Sequence, residues 1–305
     1  MPLIGISCHK HGLLSFEEAL SGKCDCTPRF ILDSIISIAK QDYHTGNKIT
    51  ATTLLGCLRE TYLQRTYDYH ATIQQIYYSW RGTLIHSILE RPNLEGWHSE
   101  ELFSKKITLA DGRAVEISGK IDGYDEPTKT LWDIKTIGDK GISFIVKDGA
   151  KEDHIPQVNI YRFLSPFQIE RLRIIYLSMM TFVQTGQTNE MTQSYKYPPR
   201  QKTYGYSSIK LLEKNERTGY GKYKLSYDTA EVPTWTDEKT IEFIKPKAAI
   251  LLDAFDKNII PQKCDKKTQA WKCCRNYCNV FDICKKLEGE ENEKRKSTSG
   301  ATEVH

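Results

Sequence analysis

The stretch GKIDGYDEPTKTLWDIKT, residues 119–136, decides how this chain is read. Apolar and polar residues alternate over Ala114–Tyr124, Glu126-Pro127-Thr128-Lys129 is turn chemistry, and the alternation resumes over Thr130–Thr136. Two strands joined by a tight turn are predicted. Successive side chains on a strand point to opposite faces. Asp133 and Lys135 therefore share one face, and Trp132 and Ile134 the other. Val115, Ile117 and Ile121 share a face of the preceding strand, opposite Glu116, Ser118, Lys120 and Asp122. The expectation is that Asp122, Asp133 and Lys135 face one cleft while Trp132 and Ile134 turn into the packing.

That trio has a chemical meaning. A hard divalent cation such as Mg²⁺ takes oxygen ligands and is held by one or two carboxylates. Asp122 and Asp133 supply them, and the carbonyl of Ile134 lies beside them as a further ligand. Lys135 on the same face can orient a water or stabilise charge building on a phosphate. An Asp-x-Lys on a strand is by itself more often a surface ion pair, so the reading depends on what surrounds it.

Outward from this stretch, the chain has 305 residues, 39% hydrophobic and 27% charged, which fits a globular protein with one large domain and an appendage. Lys+Arg 43 against Asp+Glu 39 leaves +4, a faint lean towards an anionic partner. No apolar run reaches a membrane-spanning length, and MPLIGISCHKHGLL lacks a basic stretch followed by an apolar core. A cytoplasmic protein is expected, encoded by a cell, a phage or a mobile element.

Residues 1–50 read as helical and mixed, with an amphipathic helix over Phe30–Ala39. Thr52–Leu63 reads as a second helix capped by Thr52 or Thr53, with Cys57 inside it, and Tyr77–Glu90 as a third that carries His86 beside its apolar stripe. Glu101–Leu109 and Ala114–Tyr124 are strands, and Glu100 or Glu101 offers a further acidic group for the site, with a solvent-facing carboxylate the preferred reading. A helix starting near Asp153, with Pro156 in its first turn, puts Gln157 and Tyr161 on one face. Leu172–Phe182 is apolar and β-branched, as in a buried strand. Ile209–Lys214 and Lys222–Tyr227 read as a hairpin, and Thr236–Asp256 as a helix that Pro246 kinks or interrupts. The last residues, from Glu288, are nearly devoid of apolar side chains and are expected to be disordered. Strand, crossover helix, strand implies an α/β fold whose mixed central sheet is flanked by helices. The expected divisions are 1–80, 81–185, 186–260, 261–287 and 288–305.

The ordered set His86, Asp122, Asp133-Ile134-Lys135, Gln157 and Tyr161 resembles the RecB-like branch of the PD-(D/E)xK nuclease superfamily. The resemblance covers roughly residues 50–182 and the C-terminal cysteines. It implies a restriction-endonuclease-like core in which His86, Asp122 and Asp133 bind Mg²⁺ or Mn²⁺. It implies that Lys135 is catalytic and that Gln157 and Tyr161 line the site and position DNA. Asp133 stands where that family more commonly has Glu. A histidine beside two carboxylates leans towards Mn²⁺, because imidazole is a softer ligand than Mg²⁺ prefers.

Nine cysteines lie at 8, 24, 26, 57, 264, 273, 274, 278 and 284. An odd, clustered set in a chain without a secretion signal points to metal ligation rather than disulfides. Cys24 and Cys26, with one residue between them, read as too tight for a tetrahedral pair and hence as free thiols, and Cys264 as a bystander. Cys57 with Cys274, Cys278 and Cys284 makes four thiolates, suited to zinc or to an iron–sulfur cluster, with Cys273 the alternative to Cys274. The set resembles the iron–sulfur nucleases of the RecB group, including the AddB-type helicase–nuclease subunit and the CRISPR-associated exonucleases of the fourth Cas family. That implies a structural 4Fe–4S cluster in a helical appendage built from both ends of the chain, where the family's C-x2-C-x5-C spacing becomes C-x3-C-x5-C or C-x4-C-x5-C.

Lys196, Arg200, Lys202 and Tyr204 interleave cations with rings around Pro198-Pro199, a mixture that suits single-stranded nucleic acid. The resulting expectation is a Mg²⁺/Mn²⁺-dependent deoxyribonuclease. By resemblance it is an exonuclease on single-stranded DNA ends, with partners in recombination, helicase action or CRISPR adaptation, or in phage DNA metabolism. Two rivals keep parts of the picture: a catalytically silent nucleic-acid-binding subunit, and a zinc-stapled interaction protein.

Overall fold

In the computed structural model the described residues are 3–41, 49–89, 94–137, 145, 148–187, 211–215, 220–264 and 277–289. The protein is mixed α/β, with mixed sheets flanked by helices. It divides into two compact units. One holds Met1–Leu84, Lys106–Ile117 and Ile241–His305, the other Ile85–Lys105 and Ser118–Thr240. No helix among the described residues is long and apolar enough to cross a membrane.

The first unit opens with strands rather than the helices expected for residues 1–50. Strand β1 (Leu3–Cys8) pairs antiparallel with β2 (Gly12–Ser15) across a turn whose Gly12 has φ 74°. A one-turn helix α1 (Phe16–Glu18) follows, closed by a reciprocal Ser15–Glu18 capping box, and runs into a π-helical turn at Ala19–Lys23. Helix α2 (Arg29–Gln41) covers the longer amphipathic run. Its Leu32, Ile35 and Ile36 are buried at the i, i+3, i+4 spacing, with Asp33 and Ser34 outward. Each such burial is worth roughly 1.5–3 kcal/mol. They pack with Ile6, Leu14, Phe16 and Ala71. In the chain between, β3 is Ile49–Thr50, α3 is Ala51–Leu55, α4 is Leu58–Thr66 and β4 is Tyr69–Thr72. Strand β4 lies parallel to β1, giving the order β2-β1-β4.

The helix expected over Thr52–Leu63 is two helices. Gly56 is extended (ψ −173°) and breaks the run, so Cys57 stands at the N-terminus of α4 instead of inside a helix. The cap of the first piece is Thr50, whose hydroxyl accepts from the Thr53 N–H at 3.2 Å; it precedes both expected caps, Thr52 and Thr53. Helix α5 is Ile73–Leu89.

The second unit is built on strands β5 (Trp97–Ser99), β8 (Gly123–Asp125), β9 (Thr130–Ile137), β10 (Arg171–Gln187), β11 (Leu211–Asn215) and β12 (Tyr220–Glu231). The intervening β6 (Leu102–Thr108) and β7 (Ala114–Lys120) lie partly in each unit and form a separate sheet of order β3-β7-β6. The large sheet runs β11-β12-β10-β9-β8-β5, with β9 and β10 parallel. Parallel neighbours need a crossover, and helix α6 (Ile155–Leu164) lies within the connection from β9 to β10. Asn159 on α6 is fully buried and satisfied. Its amide donates to the Pro233 carbonyl at 3.1 Å, and its carbonyl accepts from the Trp235 N–H at 2.7 Å.

Helix α7 (Asp237–Lys257) is continuous, and Pro246 lies within it without ending it. Thr236 caps it, accepting from the Lys239 N–H at 3.2 Å. In the first unit its Ala254 joins Tyr62 and Leu63 of α4 and Val280, which precedes a helix α8 over 281–289.

Candidate active site

The continuous strand expected through Ala114–Tyr124 is interrupted. Strand β7 stops at Lys120 and β8 begins at Gly123, in a different sheet. The Ile121 N–H donates to the Glu101 carbonyl at 3.0 Å as the chain leaves β7. Asp122 sits in the gap and is 8% exposed, so it does not share the open face of Glu116. Its Oδ2 accepts from the Ile134 N–H at 2.6 Å. This bond holds the Asp122 carboxylate against the β9 backbone at Ile134.

On β9 the pleat acts as the alternation requires. Lys135 Nζ donates to Asp133 Oδ1 at 2.9 Å and lies 2.8 Å from Oδ2. Asp133 is fully buried. Ile134 is buried on the opposite face, while Trp132 is half-buried beneath the Arg173 guanidinium, 4.8 Å from its ring centre. Strand β10 sets Ile174 beside Asp133 and Tyr176 beside Lys135, both with no exposed surface. An ion pair in such surroundings is screened little by solvent.

His86, near the C-terminal end of α5, reaches the same place. Its Nδ1 lies 3.3 Å from Glu100 Oε1 and 3.4 Å from Asp122 Oδ1. His86, Glu100 and Asp122 each offer a ligand atom, all within 4.8 Å of one another. Glu100 is thus not solvent-facing. Its backbone takes φ 56°, a conformation that costs a non-glycine residue on the order of 1 kcal/mol or more, and the turn swings its carboxylate inward against His86 and Lys120. Glu101 instead pairs with His98 at 2.9 Å. Alternation along 101–109 gave no sign of this turn, because it depends on one residue in the left-handed region.

The titration behaviour follows from the geometry. Burial, then the charge of Asp133, push the Asp122 carboxyl up to about 7. The Glu100 hydrogen bond raises His86 against the pull of burial. Burial works to raise Glu100, but His86 and Lys120 outweigh it and hold the carboxyl below its ordinary range.

Helix α6 supplies the next layer. Gln157 and Tyr161 are buried, and Gln157 Nε2 donates to the Tyr161 hydroxyl at 2.7 Å. Burial, then Asp133 and Asp122, push the Tyr161 phenol up, so it stays protonated and available as a donor. A Cβ on Gly119 would stand 2.8 Å from the Tyr161 ring, so this packing requires glycine there. His154, just before α6, was not singled out by sequence. Its Nδ1 lies 3.0 Å from the Tyr176 hydroxyl, and burial, then Lys135, lower it to about 4.

The cysteines divide into two places in the first unit. Cys57, Cys264, Cys278 and Cys284 line one small, partly open cavity. Cys264, read from the sequence as a bystander, stands on the wall of this cavity with the other three. Cys273 and Cys274 lie outside the described residues, as do Lys196, Arg200, Lys202 and Tyr204. The second place joins Cys24 and Cys26 with Cys8 and His11, so these two are not isolated thiols. No disulfide joins the described cysteines.

No protein-family model matches the sequence, and no curated protein matches it. Among solved structures, the crystal structure of SSO0001 is similar over 84% of this chain and 94% of that one, with 17% identity and a TM-score of 0.47.

Proposed function

We propose that this chain is a divalent-metal-dependent deoxyribonuclease with a PD-(D/E)xK-like core, acting as an exonuclease on single-stranded DNA ends. One observation carries the reading: His86, Glu100 and Asp122 converge beside a buried Asp133–Lys135 pair. The donor set fits a cation on its own terms. Two buried carboxylates, with Asp122 pushed up to about 7 by burial and by Asp133, are relieved by a positive charge between them. Three carboxylates and one imidazole match Mn²⁺ or Mg²⁺ better than a soft metal.

His86, Glu100, Asp122 and Asp133 would hold the ion. When bound, it supplies a Lewis acid for a phosphoryl oxygen and lowers the pKa of water. Lys135, fixed on Asp133, is placed to orient a water or to stabilise charge developing on the phosphate. Tyr161, protonated and anchored by Gln157, presents a hydroxyl donor from the helix side. None of these roles needs a nucleophilic side chain.

A structural 4Fe–4S cluster on Cys57, Cys278, Cys284 and Cys274, or Cys273 in its place, is part of the same proposal. Its support is the cavity that gathers Cys57, Cys278 and Cys284 from opposite ends of the sequence. Cys264 becomes a competitor for the fourth position.

The test is cleavage of end-labelled single-stranded DNA with Mn²⁺. Wild type is expected to shorten the substrate from its ends, and Asp133→Ala to leave it intact. Equal cleavage by the two proteins, or none by wild type, sinks the nuclease reading.

A further inference from the structure

Within the first unit, four potential ligands converge where the β1–β2 turn meets the loop before α2. Cys8 Sγ lies 3.6 Å from Cys26 Sγ and 3.9 Å from Cys24 Sγ. His11 Nδ1 lies 3.4 Å from Cys8 Sγ and 3.7 Å from Cys26 Sγ. All four ligand atoms fall within 4.8 Å of one another.

We infer that Cys8, His11, Cys24 and Cys26 form a tetrahedral zinc site that staples the N-terminal β-hairpin to the segment entering α2. Zn–S bonds near 2.3 Å and Zn–N bonds near 2.05 Å give a tetrahedron with edges of roughly 3.8 Å between sulfurs and roughly 3.6 Å between sulfur and nitrogen. The observed separations bracket both edges. A disulfide would bring two of the sulfurs to about 2.05 Å.

A second observation points the same way. A zinc-bound histidine characteristically gives its other ring nitrogen to a carboxylate, which fixes the tautomer. His11 directs Nδ1 at the sulfurs, and its Nε2 lies 3.3 Å from Asp25 Oδ1. Asp25 is itself held by Lys10 Nζ at 2.9 Å, placing a positive charge beside three thiolates.

The local fold explains how a Cys-x-Cys pair contributes two ligands. Gly22 takes φ 98° within the π-helical turn, which closes at Lys23; Cys24 is then extended (φ −112°, ψ 109°), Cys26 follows at a bend, and both sulfurs lie against Cys8. Cys8 and Cys24 are buried at the margin of the core formed by Ile6, Leu14 and Ile35, while Cys26 is exposed and lets the ion in. The site is chemically separate from the carboxylate centre, because soft thiolates select zinc over Mg²⁺ or Mn²⁺.

The experiment is metal analysis of the full chain, purified anaerobically and given one equivalent of Zn²⁺ before desalting. Wild type is expected to retain about one zinc per chain. Cys26→Ser and His11→Ala, both at the accessible edge, are expected to fold and to lose most of that zinc. Ser37→Ala, on the exposed side of α2, serves as the control that leaves it in place. Cobalt loading is expected to give the visible bands of a tetrahedral thiolate complex in wild type and not in Cys26→Ser. Zinc absent from loaded wild type, or retained equally by Cys26→Ser and His11→Ala, overturns the site. So does an intact mass that shows two hydrogens lost to a disulfide without zinc.

Discussion

The carboxylate of Asp122 accepts the backbone N–H of Ile134 at 2.6 Å, and through this bond the gap between β7 and β8 is tied to the strand that carries Asp133 and Lys135. Strand β8 pairs with β9 up to Gly123 opposite Trp132 and then departs. The side chain of Asp122 takes over where the backbone ladder ends. Asp122→Asn keeps an acceptor for that N–H and is expected to retain the fold while weakening Mn²⁺ binding. Asp122→Ala leaves a buried N–H without an acceptor and is expected to cost about 1–3 kcal/mol. Urea denaturation of both variants, with a parallel Mn²⁺ titration, separates the structural role from the ligand role.

Lys135 has a similar double role. Asp133 is fully buried, and Lys135 is its ion-pair partner on the same face. Removing one member of a buried pair leaves an uncompensated charge, typically a loss of about 3–5 kcal/mol. Lys135→Met is therefore expected to destabilise the metal-free protein by roughly that amount. Saturating Mn²⁺ is expected to recover part of the loss, because the cation then neutralises Asp133. Denaturation midpoints with and without Mn²⁺ check this. A loss that Mn²⁺ leaves unchanged would mean that Asp133 does not touch the ion.

The raised Asp122 makes both metal binding and stability depend on pH. A ligand must be deprotonated to bind, so Mn²⁺ affinity is expected to rise about tenfold between pH 6 and pH 8, across the Asp122 midpoint near 7. Metal-free stability moves the other way. With its folded pKa above its unfolded value, Asp122 contributes stability that is fully present below about pH 4 and lost as pH rises through about 7. His86, also raised, has the same sign. Asp122→Asn serves as the reference, since it removes the carboxyl and its share of the slope. Calorimetric Mn²⁺ titrations and pH-dependent denaturation of wild type and Asp122→Asn give the two slopes. Affinity that is flat between pH 6 and 8 would exclude Asp122 as a ligand.

Asp133 and Lys135 were legible in the sequence because a strand's period of two assigns faces without any tertiary information. Gln157 and Tyr161 were legible for the equivalent reason on a helix, where a spacing of four makes one face. Asp122 was only half legible. Its identity was clear, but the break beside it reflects two sheets drawing one segment apart, and alternation carries no trace of that competition. Glu100 was misread because its direction depends on a single left-handed residue. Spacing alone did not show that Cys24 and Cys26 gather beside Cys8 and His11, because it carries no backbone conformation. Cys24 is extended just after the turn that contains Gly22, and a bend follows at Cys26. The N-terminal strands were missed because LIGISC and GLLS are short, and strands of that length are defined by their pairing partners more than by their pattern.

Gly119 offers the sharpest test of how the sheet and α6 hold the candidate site together within the second unit. A Cβ at this position would lie 2.8 Å from Tyr161 Cδ1, 2.9 Å from Cε1 and 3.0 Å from a methyl of Leu164. All three atoms belong to α6, whose neighbouring side chains are buried and leave little room for the ring to retreat. Overpacking of this kind typically costs about 1–3 kcal/mol, and Gly119→Ala is expected to fall in that range. The strain also acts on function, because moving the Tyr161 ring disturbs the hydroxyl that Gln157 anchors at 2.7 Å. Tyr161→Leu alone is expected to lower cleavage as well. Combined with Gly119→Ala it makes room for the new methyl, so the double variant is expected to lose less stability than the two single losses added together. A double-mutant cycle on urea midpoints measures that coupling. Strict additivity would show that Gly119 does not seat Tyr161 and that the helix is positioned by other contacts.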